Sequence, residues 1–258
     1  MIVIPMAGAS SRFAKAGYRE PKFMLLAREH TLFAWSVASF ARYFDTELFV
    51  FICRADREVE RFISEEVKAL GIRSAVVVQL REATRGQAET VMRGIEGVSP
   101  DKTGVTIFNI DSIRPKFELP NVARAADGYL EVFTGSGANW SYVLPDPAKP
   151  GFAARTAEKE QISNLCSTGL YYFASREVFS RAYEAAQSGD FGSELFVAPL
   201  YNHLIADKGR VSYSVIDQTD VVFSGVPDEY VDFRDNSKLA WSELFVAPGI
   251  GPAAICAS

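Results

Sequence analysis

Histidine is almost missing from this chain. Only His30 and His203 occur, far apart, so a histidine-rich metal centre is excluded. Cysteine is nearly as scarce, since Cys53, Cys166 and Cys256 are odd in number and widely separated. They make neither a zinc spacing nor a disulfide framework, and a reducing, cytoplasmic setting is the expectation. No stretch reaches the roughly 20 apolar residues needed to cross a bilayer, so no membrane partner is expected. The apolar start has no basic region before it and too short an apolar core for a secretory signal. Positive charge is also not in excess. Lys and Arg total 27 against 32 Asp and Glu, a formal net charge of −5. That removes any global electrostatic case for nucleic acid as a partner. A strongly anionic small ligand would need a locally basic site instead.

Such a site stands near the start. Residues 2–6 form a short apolar run that reads as a buried strand. It ends in a turn of small residues, Ala7, Gly8, Ala9, Ser10 and Ser11, where backbone can approach a ligand closely and consecutive N–H groups can converge on an anion. Arg12, Lys15, Arg19 and Lys22 follow. Taken as residues alone, this is equally a core strand with a solvated basic loop or a cradle for polyphosphate. It is not a Walker A loop, because no Gly-Lys-Ser/Thr closes it. It is not a dinucleotide fingerprint, because Gly8 is the only glycine before Gly17.

The 258-residue chain, 48% hydrophobic and 23% charged, is long enough to bury a full core. Thr31 predicts an N-cap, with Leu32, Trp35, Val37, Phe40, Ala41 and Phe44 at helical spacing giving an amphipathic helix to about Tyr43. Residues 48–52 predict a buried strand, and 56–70 a helix stopped by Gly71. Strands follow at 75–80 and 103–110, with a helix opening at Gly86 between them. This alternation predicts an α/β fold with a Rossmann-like, mostly parallel central sheet and helices on both faces, and an acceptor-side mixed α+β half. In that half, strands are expected near 129–134, 140–144 and 210–216, and helices over 175–187 and 194–207. Ligands of such sheets lie beyond the carboxyl ends of the strands, so the basic turn and Asp111 should share one rim.

Met6-Ala7-Gly8-Ala9-Ser10-Ser11-Arg12, followed by Pro21-Lys22, resembles the signature of the sugar-phosphate nucleotidyltransferases. The resemblance implies an enzyme that joins a nucleoside monophosphate from an NTP to a phosphorylated small molecule and releases pyrophosphate. Arg12 and the turn would hold the triphosphate, and Lys22 would act at the reaction centre. Thr84-Arg85-Gly86-Gln87-Ala88 is similar to the family's base-contacting segment, which assigns Gly86 and Gln87 to the base. Small Ala88 would let a flat ring lie on the helix start. Asp111, after Ile107-Phe108-Asn109-Ile110, matches the aspartate that binds Mg2+ in the family. Glu158 and Lys159, ahead of the Gly169-Leu170-Tyr171-Tyr172-Phe173 strand, match its acceptor-binding patch, with Glu160 where a proline is usual. Ser224 stands where many members carry a second metal-binding Asp, with Asp217 or Asp220 as substitutes. The division implied is one domain over 1–248, nucleotide-binding over 1–127 and acceptor-binding over 128–248, then a loosely ordered tail at 249–258. Self-association is left open.

Two other readings stand beside this one. A glycosyltransferase of similar fold would want an Asp-x-Asp motif, which Asn109-Ile110-Asp111 half meets. A non-catalytic nucleotide-binding homologue would accommodate Ser224. The likeness to compact members from capsule and surface-polysaccharide loci implies a role in precursor synthesis. Ser193-Glu194-Leu195-Phe196-Val197-Ala198-Pro199 recurs unchanged from Ser242 to Pro248, with unmatched flanks.

Overall fold

The computed structural model describes residues 1–98, 100–187 and 194–245. Strand β1 (Ile2–Pro5) is followed by the small-residue turn and a short helix α1 (Ser11–Lys15), anchored by buried Phe13. A tight turn at Lys22–Met24 leads into a ribbon of β2 (Leu26–Ala27) and β3 (His30–Thr31). Thr31 caps α2 (Leu32–Ala38), its hydroxyl accepting the Ala34 N–H at 3.0 Å. This helix departs from the expectation in two ways. It ends at Ala38, before a separate 3-10 turn at Ala41–Tyr43, and all its residues are buried. The cause is packing on both sides. Phe33, Ala34 and Val37 meet the sheet, while Leu32, Trp35 and Ala38 meet a second apolar cluster built on Tyr230, Phe233 and Leu244.

Strand β4 (Phe49–Arg54) feeds α3 (Arg57–Leu70). Asp56 caps that helix by accepting the Glu58 and Val59 N–H groups, and Gly71 closes it at φ 73°. β5 (Ala75–Leu80), α4 (Gln87–Ile95) and β6 (Val105–Phe108) complete the first half. β1 lies between β4 and β6 and pairs in parallel with both, and β4 pairs in parallel with β5. Alternation along β1 sorts its side chains. Val3 joins the core under α4, whereas Ile2 and Ile4 join the core under α2 and α3.

The second half adds β7 (Ser112–Ile113), α5 (Asn121–Arg124), β8 (Gly128–Thr134), β9 (Ser141–Pro145), β10 (Ala153–Glu158) and β11 (Leu165–Phe173). The long β11 runs antiparallel to β6, β8 and β9, joining the parallel half to the mixed one in a nine-stranded sheet. Buried Glu131 of β8 is held by the Arg114 guanidinium, Nε to Oε1, at 3.0 Å. Helix α6 (Arg176–Gln187) starts at Ser175, whose hydroxyl accepts the Val178 N–H.

The helix expected over 194–207 lacks its first turn, residues 194–197. The chain forms a 3-10 turn at Ala198–Leu200 and a short α7 (Tyr201–Ala206). Upstream, the Leu195 N–H donates to the Arg85 carbonyl at 2.8 Å, and the Ala88 N–H donates to the Leu195 carbonyl at 2.9 Å. These backbone bonds pin the segment across the start of α4 and keep it out of a helix. β12 (Val211–Ile216) pairs in parallel with β8, β13 (Val222–Phe223) pairs with β7, and α8 (Pro227–Asn236) follows. The repeated segment adopts two structures. Glu194 to Phe196 is irregular, whereas Ser242 to Phe245 lies in a 3-10 turn, Trp241–Phe245. Ser193, Val246, Ala247, Pro248 and the tail at 249–258 lie outside the described residues. No described helix is long and apolar enough to cross a membrane.

Candidate active site

Because β1 and β6 are parallel neighbours, the loops that leave them open on the same rim. A cleft of about 1080 Å³ lies there. Ala7, Gly8, Ala9, Ser10 and Arg12 line it, with Ser10 in the left-handed region at φ 48°. Ser11 is exposed at the start of α1 and is not on the lining. The Lys22 Nζ donates to Asp111 Oδ2 at 2.5 Å, joining two segments far apart in sequence. Their side chains keep 19% and 24% of their accessibility, so the pair faces the cleft rather than the core.

Gly86 and Gln87 line the adjoining wall. Gly86 has φ 151°, and a Cβ there would lie 2.7 Å from the Leu195 nitrogen. Only glycine allows the pinned segment to pass so close. The Gln87 Nε2 donates to Asn109 Oδ1 at 2.5 Å, which ties this side chain to the end of β6. Ala88 is no platform for a ring. It is fully buried beneath α4 in the core with Val91 and Ile95, because its side chain points toward the sheet.

On the opposite wall, Glu158 and Gly169 are on the lining and Lys159 is not. Gly169 sits at φ 87° in the irregularity of β11 between Ser167 and Tyr171. A Cβ there would come within 2.5 Å of the Asn109 amide nitrogen. The Glu158 carboxylate accepts from the Ser141 hydroxyl, which also contacts the Tyr171 hydroxyl at 3.2 Å. Burial pushes the Glu158 carboxyl above the usual carboxylate range, and the Ser141 bond draws it partly back. Lys159 instead reaches Glu194 at 3.6 Å and lies over the Phe196 ring at 4.3 Å.

Ser224 is buried beside Asp111, with both its N–H and its hydroxyl donating to the Asp111 carbonyl. Neither carboxylate suggested as its substitute lines the cleft. Asp217 is used by its own turn, accepting from the Thr219 N–H and hydroxyl. Among the lining side chains that motif reading did not assign are Asn109, Trp140, Phe223 and Glu229. Glu229 accepts the Gly225 and Val226 N–H groups at the start of α8. Its position inside the Gly-x-Pro-x-Glu stretch at 225–229 was a usable signal; the others carry none.

Among the described residues, no cluster of three or more His, Cys, Asp or Glu could hold a metal alone. A magnesium site here therefore has to be completed by ligand oxygens, as suits that ion. Gly225 leaves the room. A Cβ at that position would lie 2.9 Å from Asp111 Oδ2. The residues present fit such an ion.

A doubly covered sheet with the small-residue turn and an aspartate on one rim matches the nucleotidyltransferase fold. A nucleoside-diphosphate-sugar pyrophosphorylase from Vibrio cholerae is similar at 47% identity and TM-score 0.86, covering 90% of this chain and 99% of that one. The chain belongs to this family of pyrophosphorylases, and it is an enzyme of nucleotidyl transfer. The inositol-1-phosphate CTP transferase of T. maritima shares the fold at 13% identity and TM-score 0.69, over 91% of this chain and 96% of that one. A UDP-glucose pyrophosphorylase complexed with UDP-glucose shares it at 12% identity and TM-score 0.68, over 90% and 96%. No protein-family model matches the sequence, and no curated protein matches it.

Proposed function

We propose that the cleft binds an NTP and a phosphorylated small molecule together, and that the product serves polysaccharide or surface-glycan precursor synthesis. An oxygen of the acceptor phosphate attacks the α-phosphorus. The bond from that phosphorus to the bridging oxygen breaks, and pyrophosphate leaves with the electron pair. The acceptor phosphate is already ionised near neutral pH, so no general base is needed. The work of the protein is positioning and charge neutralisation.

Arg12 and the amides of Ala7, Gly8, Ala9 and Ser10 hold the β- and γ-phosphates. Gly86 and Gln87 face the base. Lys22 neutralises charge at the α-phosphate. Glu158 and Gly169 face the acceptor. Asp111 would hold magnesium together with phosphate oxygens, and the bound ion supplies further charge neutralisation there. The observation that carries this reading is the Lys22 to Asp111 contact on the cleft lining, which supports a cation and a carboxylate acting on the same phosphates.

The test is pyrophosphate release with magnesium, each NTP and a panel of phosphorylated acceptors. Release that requires one NTP and one acceptor, and that is lost in Asp111→Ala, supports the reading. Hydrolysis without an acceptor, or no release with any pair, overturns it.

A further inference from the structure

One carboxylate is buried in the sheet away from the cleft lining. On β8, Tyr129 and Phe133 belong to apolar clusters, and Glu131 between them, on the same face, is 3% exposed. Its Oε1 accepts from Arg114 Nε at 3.0 Å and from the Thr168 hydroxyl at 3.3 Å. Arg114 is fixed in turn, its N–H donating to the Ser39 hydroxyl and its guanidinium to the Pro115 carbonyl. A buried pair of this kind generally stabilises a core no better than apolar side chains of the same volume. What it adds is hydrogen bonds of fixed direction.

Those bonds fall where β11 departs from regular pairing. Ser167 is opposite Val132 and Tyr171 is opposite Leu130, so Thr168, Gly169 and Leu170 together stand against Glu131 alone. The excursion is tied to the loop that follows β6. The Thr168 carbonyl accepts the Ser112 hydroxyl at 3.1 Å, and the Gly169 carbonyl accepts the Asn109 N–H at 3.1 Å. Asp111 lies in the chain between these two anchor points. Asn109, Asp111, Ser112, Thr168 and Gly169 all line the cleft, whereas Arg114 and Glu131 do not.

We propose, resting on the transfer reading above, that Arg114 and Glu131 are positioning residues for the reaction. Held by them, the excursion at Thr168 and Gly169 sets where the loop from Asn109 to Ser112 stands, and Asp111 with it. Without the Glu131 carboxylate, the Thr168 hydroxyl keeps only the Glu131 backbone carbonyl, at 3.4 Å, as an acceptor on β8. The excursion is then free to shift. The chain still folds and still takes nucleotide on the turn at 7–10, but Asp111 and the acceptor-side Gly169 no longer meet the phosphates in register. A displacement of about 1 Å, caused by a change remote from the chemistry, is enough for roughly a hundredfold loss of rate.

The experiment compares the double variant Arg114→Met/Glu131→Leu with the unaltered protein, in pyrophosphate release and in urea unfolding. Either replacement alone strands a buried partner, whereas the double replacement removes both charges together. The expected result is a urea midpoint and an NTP-induced melting shift close to those of the unaltered protein. The KM for NTP should stay in place, while kcat falls by about a hundredfold and the acceptor KM rises. Thr168→Val, which keeps both charges and removes only the hydroxyl, should lower kcat about tenfold in the same pattern. Thr168→Ser, which restores the hydroxyl, should recover it. A stable double variant with undiminished kcat overturns the proposal and leaves the transfer reaction standing, since the pair is then structural only. If the double variant does not fold, Thr168→Val decides. Undiminished kcat there overturns the proposal, and a loss recovered in Thr168→Ser upholds it. No release by the unaltered protein with any NTP and acceptor removes the transfer reading, and this inference falls with it.

Discussion

Replacing Lys22 with alanine should separate catalysis from stability. In the free enzyme its ammonium is 2.5 Å from Asp111 Oδ2, with both side chains open to the cleft. Water can solvate Asp111 once the lysine is gone, and a solvent-facing pair contributes on the order of 0–1 kcal/mol. The folded state should therefore lose little. The transition state should lose far more, because charge concentrates on the transferring phosphoryl group inside a partly enclosed cleft. Removing one preorganised electrostatic group of this kind costs about 2–4 kcal/mol. That corresponds to roughly a 30- to 900-fold fall in kcat. The assay is steady-state pyrophosphate release at saturating substrates, alongside urea unfolding of the same preparation. Full turnover in Lys22→Ala would falsify the site. A loss of folding stability as large as the loss of catalysis would also refute the argument, since Lys22 would then be structural.

Gly86→Ala should destabilise the fold by about 1–3 kcal/mol or more through backbone strain at φ 151°, read as a lower urea midpoint, because the added Cβ meets the Leu195 backbone. Gly225→Ala should reduce activity and weaken magnesium binding measured by calorimetry, with a small effect on melting, because its Cβ crowds Asp111 Oδ2 at 2.9 Å. Arg114→Met should cost about 3–5 kcal/mol at neutral pH by leaving Glu131 buried without its partner. The pH dependence has a definite sign. Burial raises the Glu131 carboxyl in the fold, against the pull of Arg114. Its contribution to stability is therefore full below the ordinary carboxylate pKa and is lost as pH rises through the folded value. Removing Arg114 raises that value further, so urea midpoints measured across pH should show a deficit that grows from acid toward neutral.

The parts of the fold that follow local rules could be read from the chain. Asp56 and Gly71 bracket α3 where a cap and a left-handed stop belong, and the apolar alternation of β1 gives a two-faced core. Readings failed where a distant partner decided the conformation. The first turn of the helix expected over 194–207 yielded to backbone bonds that tie Leu195 to Arg85 and Ala88, and α2 was buried on both sides by a cluster from the far end of the chain. The same division holds in the cleft. Arg12, Lys22, Gly86 and Asp111 announce themselves through local motifs. Asn109 matters because Gln87 and Gly169 converge on it, a juxtaposition that exists only in three dimensions. Lys159 was assigned to the acceptor by its neighbours in sequence; its contacts, the Glu194 carboxylate and the Phe196 ring, both line the cleft and come from a segment some 35 residues on.

The place of β1, paired on both sides, has a consequence for how the chain folds on the ribosome. This strand is made before either of its neighbours, and β6 is complete only when Phe108 has emerged. β11, which welds the two halves of the sheet, comes later still. Pairings so distant in sequence make folding slow and leave an apolar strand waiting for its partners. The cleft is finished last, since its lining runs from Pro5 to Glu229. A fluorescent nucleotide added during refolding should therefore bind in step with the final phase, making ligand capture a clock for completion of the sheet.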